Sequence, residues 1–417
     1  MEGLLAAKRQ RFRFSNMHKT IIRRFIWFTN LAFCCVIGLP ALWLFEPFLR
    51  IRIVNLEDRR IGHLALDTEA FCRRIQLYPP EKKTLYVFLA SNPSNRQLLD
   101  MLKRSLFVIE SVWIRRLFVD CLPILARTRF HHSIFHDFET GYEAYSRGQP
   151  ILSFTDEEEA RGRELLTEMG IGENDWFVAL HVRDSAYLDA DKKEAQATLS
   201  NGKHHRDADV STYFDACRLI VEKGGYVLRL GAIVESPLPD LGPKIIDYSR
   251  HFRSDFMDIY LLKACRFMLG SDSGYSSMPL LFNVPVAQAN FGEFCYAGFA
   301  DRHLYTPKLY RSTKDGRILT FPELKDLGLF TNGQANVYFL RQKLDDLGLE
   351  LFDNSAEEVL DLCQDMFDRF EGRSPSAEAV RLQEKFRSYF GDADAASPYA
   401  AHIGPRFALK YRHLIEP

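Results

Sequence analysis

The run from Trp176 to Leu188, WFVALHVRDSAYL, narrows the folds open to this chain more than any other stretch. It begins apolar and β-prone, then passes without a turn residue into His181, Arg183 and Asp184 before a polar loop. Strands covered by helices on both faces read as continuous apolar runs, and parallel α/β sheets present ligand groups at the carboxyl ends of such strands. The run therefore predicts a buried parallel strand that carries His181 and Arg183 to an anion site. A strand ending in solvated charges is the plainer alternative.

A second stretch has the same build. Cys265 to Pro279, CRFMLGSDSGYSSMP, is an apolar strand running into a turn of small hydroxyl residues, with a helical Leu280, Leu281 and Phe282 behind it. Gly274 permits close backbone approach, and the amides of a helix start together with Ser271, Ser273, Ser276 and Ser277 can hold a phosphate. One cationic strand end and one rich in amides and hydroxyls suit a diphosphate, with Asp184 and Asp272 beside them.

The 417 residues leave room for two domains, and 47% hydrophobic with 26% charged residues excludes a disordered chain. A net charge of -1 gives no global nucleic-acid signature. The eight cysteines, at 34, 35, 72, 121, 217, 265, 295 and 363, form no metal-type spacing and read as reduced, mostly buried thiols. Seven Lys and Arg residues between Lys8 and Arg24 precede Phe25 to Phe45, a segment without charge and roughly as long as a hydrocarbon core is thick. Gly38 to Pro40 should interrupt that helix, and Arg50 and Arg52 put basic charge on its far side as well. A broken, monotopic or re-entrant helix accounts for both features, with a full span as the alternative.

From Ile51 the pattern alternates. A strand at 51–55, a glycine loop at 59–63, a helix from Leu64 to Ile75, a strand at 84–90 and a helix from Arg96 are expected in the first half. His63 would open its helix, either as a general base or as a locally hydrogen-bonded residue. Pro123 should limit any helix within 111–125. Thr155 and Glu158 spell a capping box, and the helix after it marks a boundary near Gly170. The second half repeats the alternation, with Arg229 at another strand end, a helix capped by Ser254, and helices from Ser355 to Phe390. The expected fold class is thus α/β with a mainly parallel sheet.

The fragments RRIGHLALDTE (59–69), HVRDSAYL (181–188), RDADVSTY (206–213) and SDFMDIY (254–260) together resemble a bacterial glycosyltransferase family of surface-polysaccharide loci, over about positions 20 to 410. More distantly, His181-x-Arg183 is similar to a donor-phosphate motif of fucosyltransferases, and Ser271 to Gly274 to the phosphate turn of heptosyltransferases. Ile61, Gly62 and His63 stand where heptosyltransferases carry Ile-Gly-Asp, a carboxylate base. The resemblance implies a GT-B architecture of two Rossmann-like domains facing a cleft. Residues 1–50 would form the basic, membrane-associated start, 51–170 the acceptor domain, 171–350 the nucleotide-sugar domain, and 351–417 terminal helices, some of which cross between domains. The implied partners are a nucleotide-sugar donor, a glycan or lipid-linked acceptor and the cytoplasmic face of the inner membrane, with no nucleic acid. A nucleotide-sugar epimerase and a non-catalytic scaffold are the other readings.

No cofactor or metal is expected. The triplets Asp189/Asp191, Asp207/Asp209 and Asp392/Asp394 lie in polar loops or a small-residue tail, not at a buried strand end, and the loop from His204 to Asp207 lacks a further zinc ligand. Arg229 and Arg253 are reserve phosphate ligands, and Asp255 and Asp258 read as helix caps.

Overall fold

The computed structural model describes residues 21–135, 142–184, 205–234, 237–292, 294, 300–330, 337–390 and 402–417. Asp189, Asp191, His204, Cys295, Asp392 and Asp394 fall outside them. The chain is α/β with parallel sheets and an apolar amino-terminal helix, as its alternation of elements required. It forms two compact units from interleaved segments: unit 1 holds residues 1–59, 79–94 and 103–135, and unit 2 holds 60–78, 95–102 and 136–417.

Unit 1 contains helix α1 (Ile21–Phe45) and a three-stranded parallel sheet, β1 (Arg50–Asn55), β2 (Thr84–Ala90) and β3 (Phe107–Glu110), in that order. Segments between these strands contribute helix α2 (Thr68–Leu77) and much of helix α3 (Arg96–Ser105) to unit 2. Helix α4 (Val112–Leu125) follows β3 in unit 1. Its core joins Cys34 of α1, Leu89, Phe118, Cys121 and Leu125. Buried Asp58 accepts the amides of Ser91 at 2.6 Å and Asn92 at 2.8 Å and pairs with Arg115, so the carboxyl ends of β1 and β2 are tied by one carboxylate.

Two proline expectations are corrected here. α1 does not break at Pro40: residues Cys34–Gly38 widen into a π turn in which the amide of Leu39 reaches the Cys34 carbonyl, and Pro40 falls within the first two positions of the α-turns that follow. An extra residue per turn makes room for a ring that cannot donate. α4 runs past Pro123, which lies in its last turn, with Ala126 closing onto Leu122 and Ile124.

Unit 2 is built on a seven-stranded sheet ordered β12 (His402–Ile403), β9 (Leu304–Pro307), β8 (Val286–Phe291), β7 (Met268–Gly270), β4 (Phe177–His181), β5 (Tyr226–Arg229), β6 (Ile245–Ile246). All its pairings are parallel. The chain steps outward from β4 to β6 on one side and from β7 to β9 on the other. The direction of winding therefore reverses between β4 and β7, the position where open α/β sheets leave a crevice for ligands. Helices α5 (Asp156–Glu168), α6 (Phe214–Glu222), α7 (Asp255–Ala264) and α8 (Ala356–Phe370) belong to this unit. The capping boxes at Thr155 and Ser355 are both formed. α8 lays Val359, Leu362, Cys363, Met366 and Phe367 on one sheet face with Ala216, Cys217 and Ile220 of α6. A separate two-stranded antiparallel ribbon pairs β10 (Leu309–Ser312) with β11 (Leu349–Phe352).

Candidate functional site

β4 and β7 lie side by side in the sheet, so the two stretches singled out in the sequence end together. Their carboxyl ends are laced by hydrogen bonds: the Ser271 amide donates to the His181 carbonyl at 3.0 Å, and the Arg183 amide donates to Ser271 Oγ at 2.8 Å. Ser276 Oγ also reaches the His181 carbonyl, at 3.4 Å. Gly270 is required at this crossing, because a Cβ there would stand 2.7 Å from the His181 carbonyl oxygen and 2.8 Å from Ser276 Oγ.

The His181 ring is fixed at both nitrogens. Nδ1 donates to the Leu230 carbonyl at 3.2 Å, an acceptor that settles the tautomer, and Nε2 then accepts from Ser273 Oγ at 3.2 Å. Desolvation, reinforced by the cations of Arg183 and Arg229, lowers its pKa to about 4. The sequence suggested a His181 able to carry a proton; in the folded protein it is neutral at pH 7 and orients the Ser273 hydroxyl.

Arg183 remains the cation of the site. Its Nε lies 3.4 Å from Asp207 Oδ1, and Arg206 and Asp272 are close enough to act on its charge. Burial brings its pKa down to about 10, which still leaves it charged at neutral pH. The loop bearing Arg206 and Asp207 is pinned by Lys308, an almost fully buried amine whose Nζ donates at 2.9 Å to the carbonyls of both His205 and Asp207 and pairs with Asp353 at 2.7 Å. No sequence pattern marked Lys308.

The Ser271–Ser277 turn closes on itself. Ser273 Oγ accepts the Tyr275 amide at 3.2 Å, and Ser277 receives Gln288 Nε2 at 3.3 Å. The helix expected behind it is a single 3₁₀ stretch, Met278–Phe282, ended by Asn283 in the left-handed region at φ 59°. Such a short element has little dipole to offer, so the groups that could hold an anion here are Arg183, the turn amides and the Ser271 hydroxyl.

The glycine loop before α2 belongs to the same unit and meets this turn backbone to backbone. A Cβ on Gly62 would come within 3.1 Å of Gly274 Cα. His63 is therefore one residue from the contact. It opens a π turn, His63–Asp67, in place of the regular α-helical start expected, and its Nδ1 lies 2.9 Å from Oδ2 of buried Asp67. Asp67 was missed in the sequence, where only its place four residues after His63 signals the pair.

Other residues take supporting positions. Arg229 is buried with its guanidinium 3.4 Å from Asp247 and 4.0 Å from Asp184, so it steadies those carboxylates at the strand ends. Arg253 pairs with Asp258 at 2.9 Å. Neither first-turn carboxylate caps α7, whose Ser254 does so through the Met257 amide. Asp255 instead accepts the Arg96 amide at the start of α3, at 2.7 Å, and Asp258 accepts from Tyr248 at 2.9 Å. Desolvation raises Asp258 to about 6. Asp209 caps a 3₁₀ turn by accepting the Ser211 amide at 2.8 Å. Among the described residues no cluster of three or more His, Cys, Asp or Glu side chains is arranged to hold a metal ion.

No protein-family model and no curated protein matches this chain. Among solved structures it is similar to ADP-heptose lipopolysaccharide heptosyltransferase II of E. coli, at 11% identity and a TM-score of 0.39, over 62% of this chain and 91% of that one. It is also similar to a glycosyl transferase family 9 protein of Veillonella parvula, at 10% identity and a TM-score of 0.39, over 74% and 97%. A third is E. coli heptosyltransferase WaaC with ADP-2-deoxy-2-fluoro heptose, at 11% identity and a TM-score of 0.31, over 63% and 93%. Likenesses of this size carry no argument about chemistry, which rests on the residues of the site.

Proposed function

We propose that this chain is a glycosyltransferase of GT-B type that moves a sugar from a nucleoside-diphosphate donor to a glycan or lipid-linked acceptor at the cytoplasmic face of a bacterial inner membrane, without a metal. The observation that carries the reading is the meeting of the β4 and β7 ends at the reversal of winding, where Ser271 accepts the Arg183 amide and Asp272 is close enough to act on the Arg183 charge. A leaving diphosphate gains negative charge as the glycosidic bond breaks. A cation and fixed donors aimed at it lower that barrier, each donor being worth about 10²–10³ in rate.

In this reading Arg183 binds the diphosphate, beside the Arg206–Asp207 loop that Lys308 pins. Ser271 and the amide of Gly274 complete the cradle, Ser273, Ser276 and Ser277 brace its turn with their protons on His181 Nε2, the His181 carbonyl and the Ser273 carbonyl, while Asp272 and Asp184 shape its rim and Arg229 holds Asp184. His63 is the base, oriented through its Nδ1 by Asp67, and takes the proton of an acceptor hydroxyl. The apolar helix and the basic residues before it suit a lipid-linked acceptor at an anionic surface.

The test is a thermal-shift series on the full chain with a panel of nucleoside diphosphates. One of them should raise the melting temperature in proportion to ln[ligand], and Arg183→Ala should move that response to about 10- to 150-fold higher ligand concentration. A panel without effect on the wild-type protein overturns the proposal.

A further inference from the structure

We infer that unit 1 docks on an anionic bilayer through two helices together, α1 and the amino-terminal turn of α4, with Trp113 as the anchor of the second. This deepens the membrane part of the function proposed above and rests on it.

The first argument is how α1 is held. Its Asn30 side chain donates to Asp120 of α4 at 2.9 Å, and Cys121 Sγ donates to the Asn30 carbonyl at 3.3 Å. Cys34 sits in the unit 1 core with Leu39 packed against it, and the Trp43 ring stands edge-on to Phe130 at 5.2 Å. From residue 30 to residue 43 these anchors run along about 20 Å of helix. A hydrocarbon core about 30 Å thick would have to take in α4 along with α1 for α1 to cross it. A helix lying along the unit, with one flank packed and the other in lipid, meets both its apolar composition and its contacts.

The second argument is what surrounds it. The free flank of α1 exposes Phe25, Phe28, Val36 and Leu44, and Phe48 follows, 82% exposed. α4 opens with Val112, Trp113 and Ile114, all exposed, Trp113 at 85%. Trp113 lies seven residues before Asp120, hence on the same stripe of α4 that receives Asn30 of α1. The two apolar surfaces are therefore neighbours, and their combined extent marks an interaction site rather than scattered surface residues. The charge of the unit selects the partner: Arg23, Arg24, Lys82, Lys83, Arg127 and Arg129 are exposed, against Glu81 and Glu110 as the exposed acids among its described residues. An apolar face on a unit whose exposed charge is mostly basic, with Arg129 over the Trp43 ring, is complementary to anionic lipid headgroups over acyl chains.

Full-length protein would be mixed with phosphatidylglycerol/phosphatidylcholine vesicles whose acyl chains are brominated, and compared with Trp113→Ala and Trp113→Phe. Partitioning of Trp113→Ala should weaken about tenfold with an unchanged melting temperature, as befits an exposed side chain, and Trp113→Phe should restore most of the loss. Bromine quenching should fall in both variants. Vesicle binding and quenching equal to wild type in Trp113→Ala overturn the inference. So does a wild-type dimer, without vesicles, that Trp113→Ala dissociates, which would make this face an interface between two copies. The nucleoside-diphosphate shift, measured on the same samples, judges the transferase reading separately.

Discussion

Removing the guanidinium of Arg183 should cost nucleoside-diphosphate affinity far more than it costs the fold. A charge-assisted hydrogen bond to phosphate contributes about 1.5–3 kcal/mol, so Arg183→Ala should weaken binding about 10- to 150-fold. The structure adds a second contribution. Arg183 lies between Asp207 and Asp272, both largely buried, and without it their charges repel the incoming diphosphate. Asp207→Asn in the same background removes part of that repulsion and should recover part of the affinity. Asp207→Asn alone, which frees the fork of Arg183, should leave binding unchanged or tighter. Calorimetric titration of all four proteins with the diphosphate found by thermal shift gives the full cycle. An Arg183→Ala protein that melts several degrees lower but binds the diphosphate as wild type does would show a structural ion pair, and the assignment of the site would fail.

Three further outcomes are expected. His63→Ala should retain diphosphate binding and lose about 10²–10³ in turnover, with Asp67→Asn losing less; equal turnover in all three proteins removes His63 as the base. Arg73 and Glu69 form an ion pair with no exposed surface at all, and Arg73 also holds the carbonyls of Leu280 and Leu281 at 3.1 and 3.2 Å. Arg73→Ala should therefore destabilise unit 2 by about 3–5 kcal/mol, read as a large fall in denaturant midpoint. His181 is lowered to about 4 and His303 to about 3, so each is uncharged when folded but takes a proton near pH 6.5 once unfolded. Both thus withdraw stability as pH falls from about 6.5 to 4, by up to about 3 kcal/mol for His181, whereas Asp258 and Asp365, raised to about 6, add stability over the same range. The difference between wild type and His181→Gln isolates the histidine: the variant should lose less melting temperature between pH 6.5 and 4.5, and parallel profiles would contradict the assignment.

Much of the architecture was legible because its signals are local. The apolar run at 177–180, the strand at 84–90, the capping boxes at Thr155 and Ser355 and the Ser254 cap each depend on residues within one turn or one strand, and each stands where the sequence put it. Pro40 and Pro123 misled for the same reason, since a local rule for proline takes no account of a π turn or of a helix held by its neighbours.

The sequence by itself determined that two strands would end in an arginine and in a hydroxyl-glycine turn. Only the tertiary structure decided that β7 lies next to β4, that Gly62 meets Gly274, and that Arg229 is spent on Asp184 and Asp247 while Arg183 stays the cation of the site. Strand composition follows from burial, which each residue carries in its own side chain. Which charge neutralises which depends on approaches of a few ångströms between segments some twenty to forty-five residues apart, and these are set by the order of strands in the sheet.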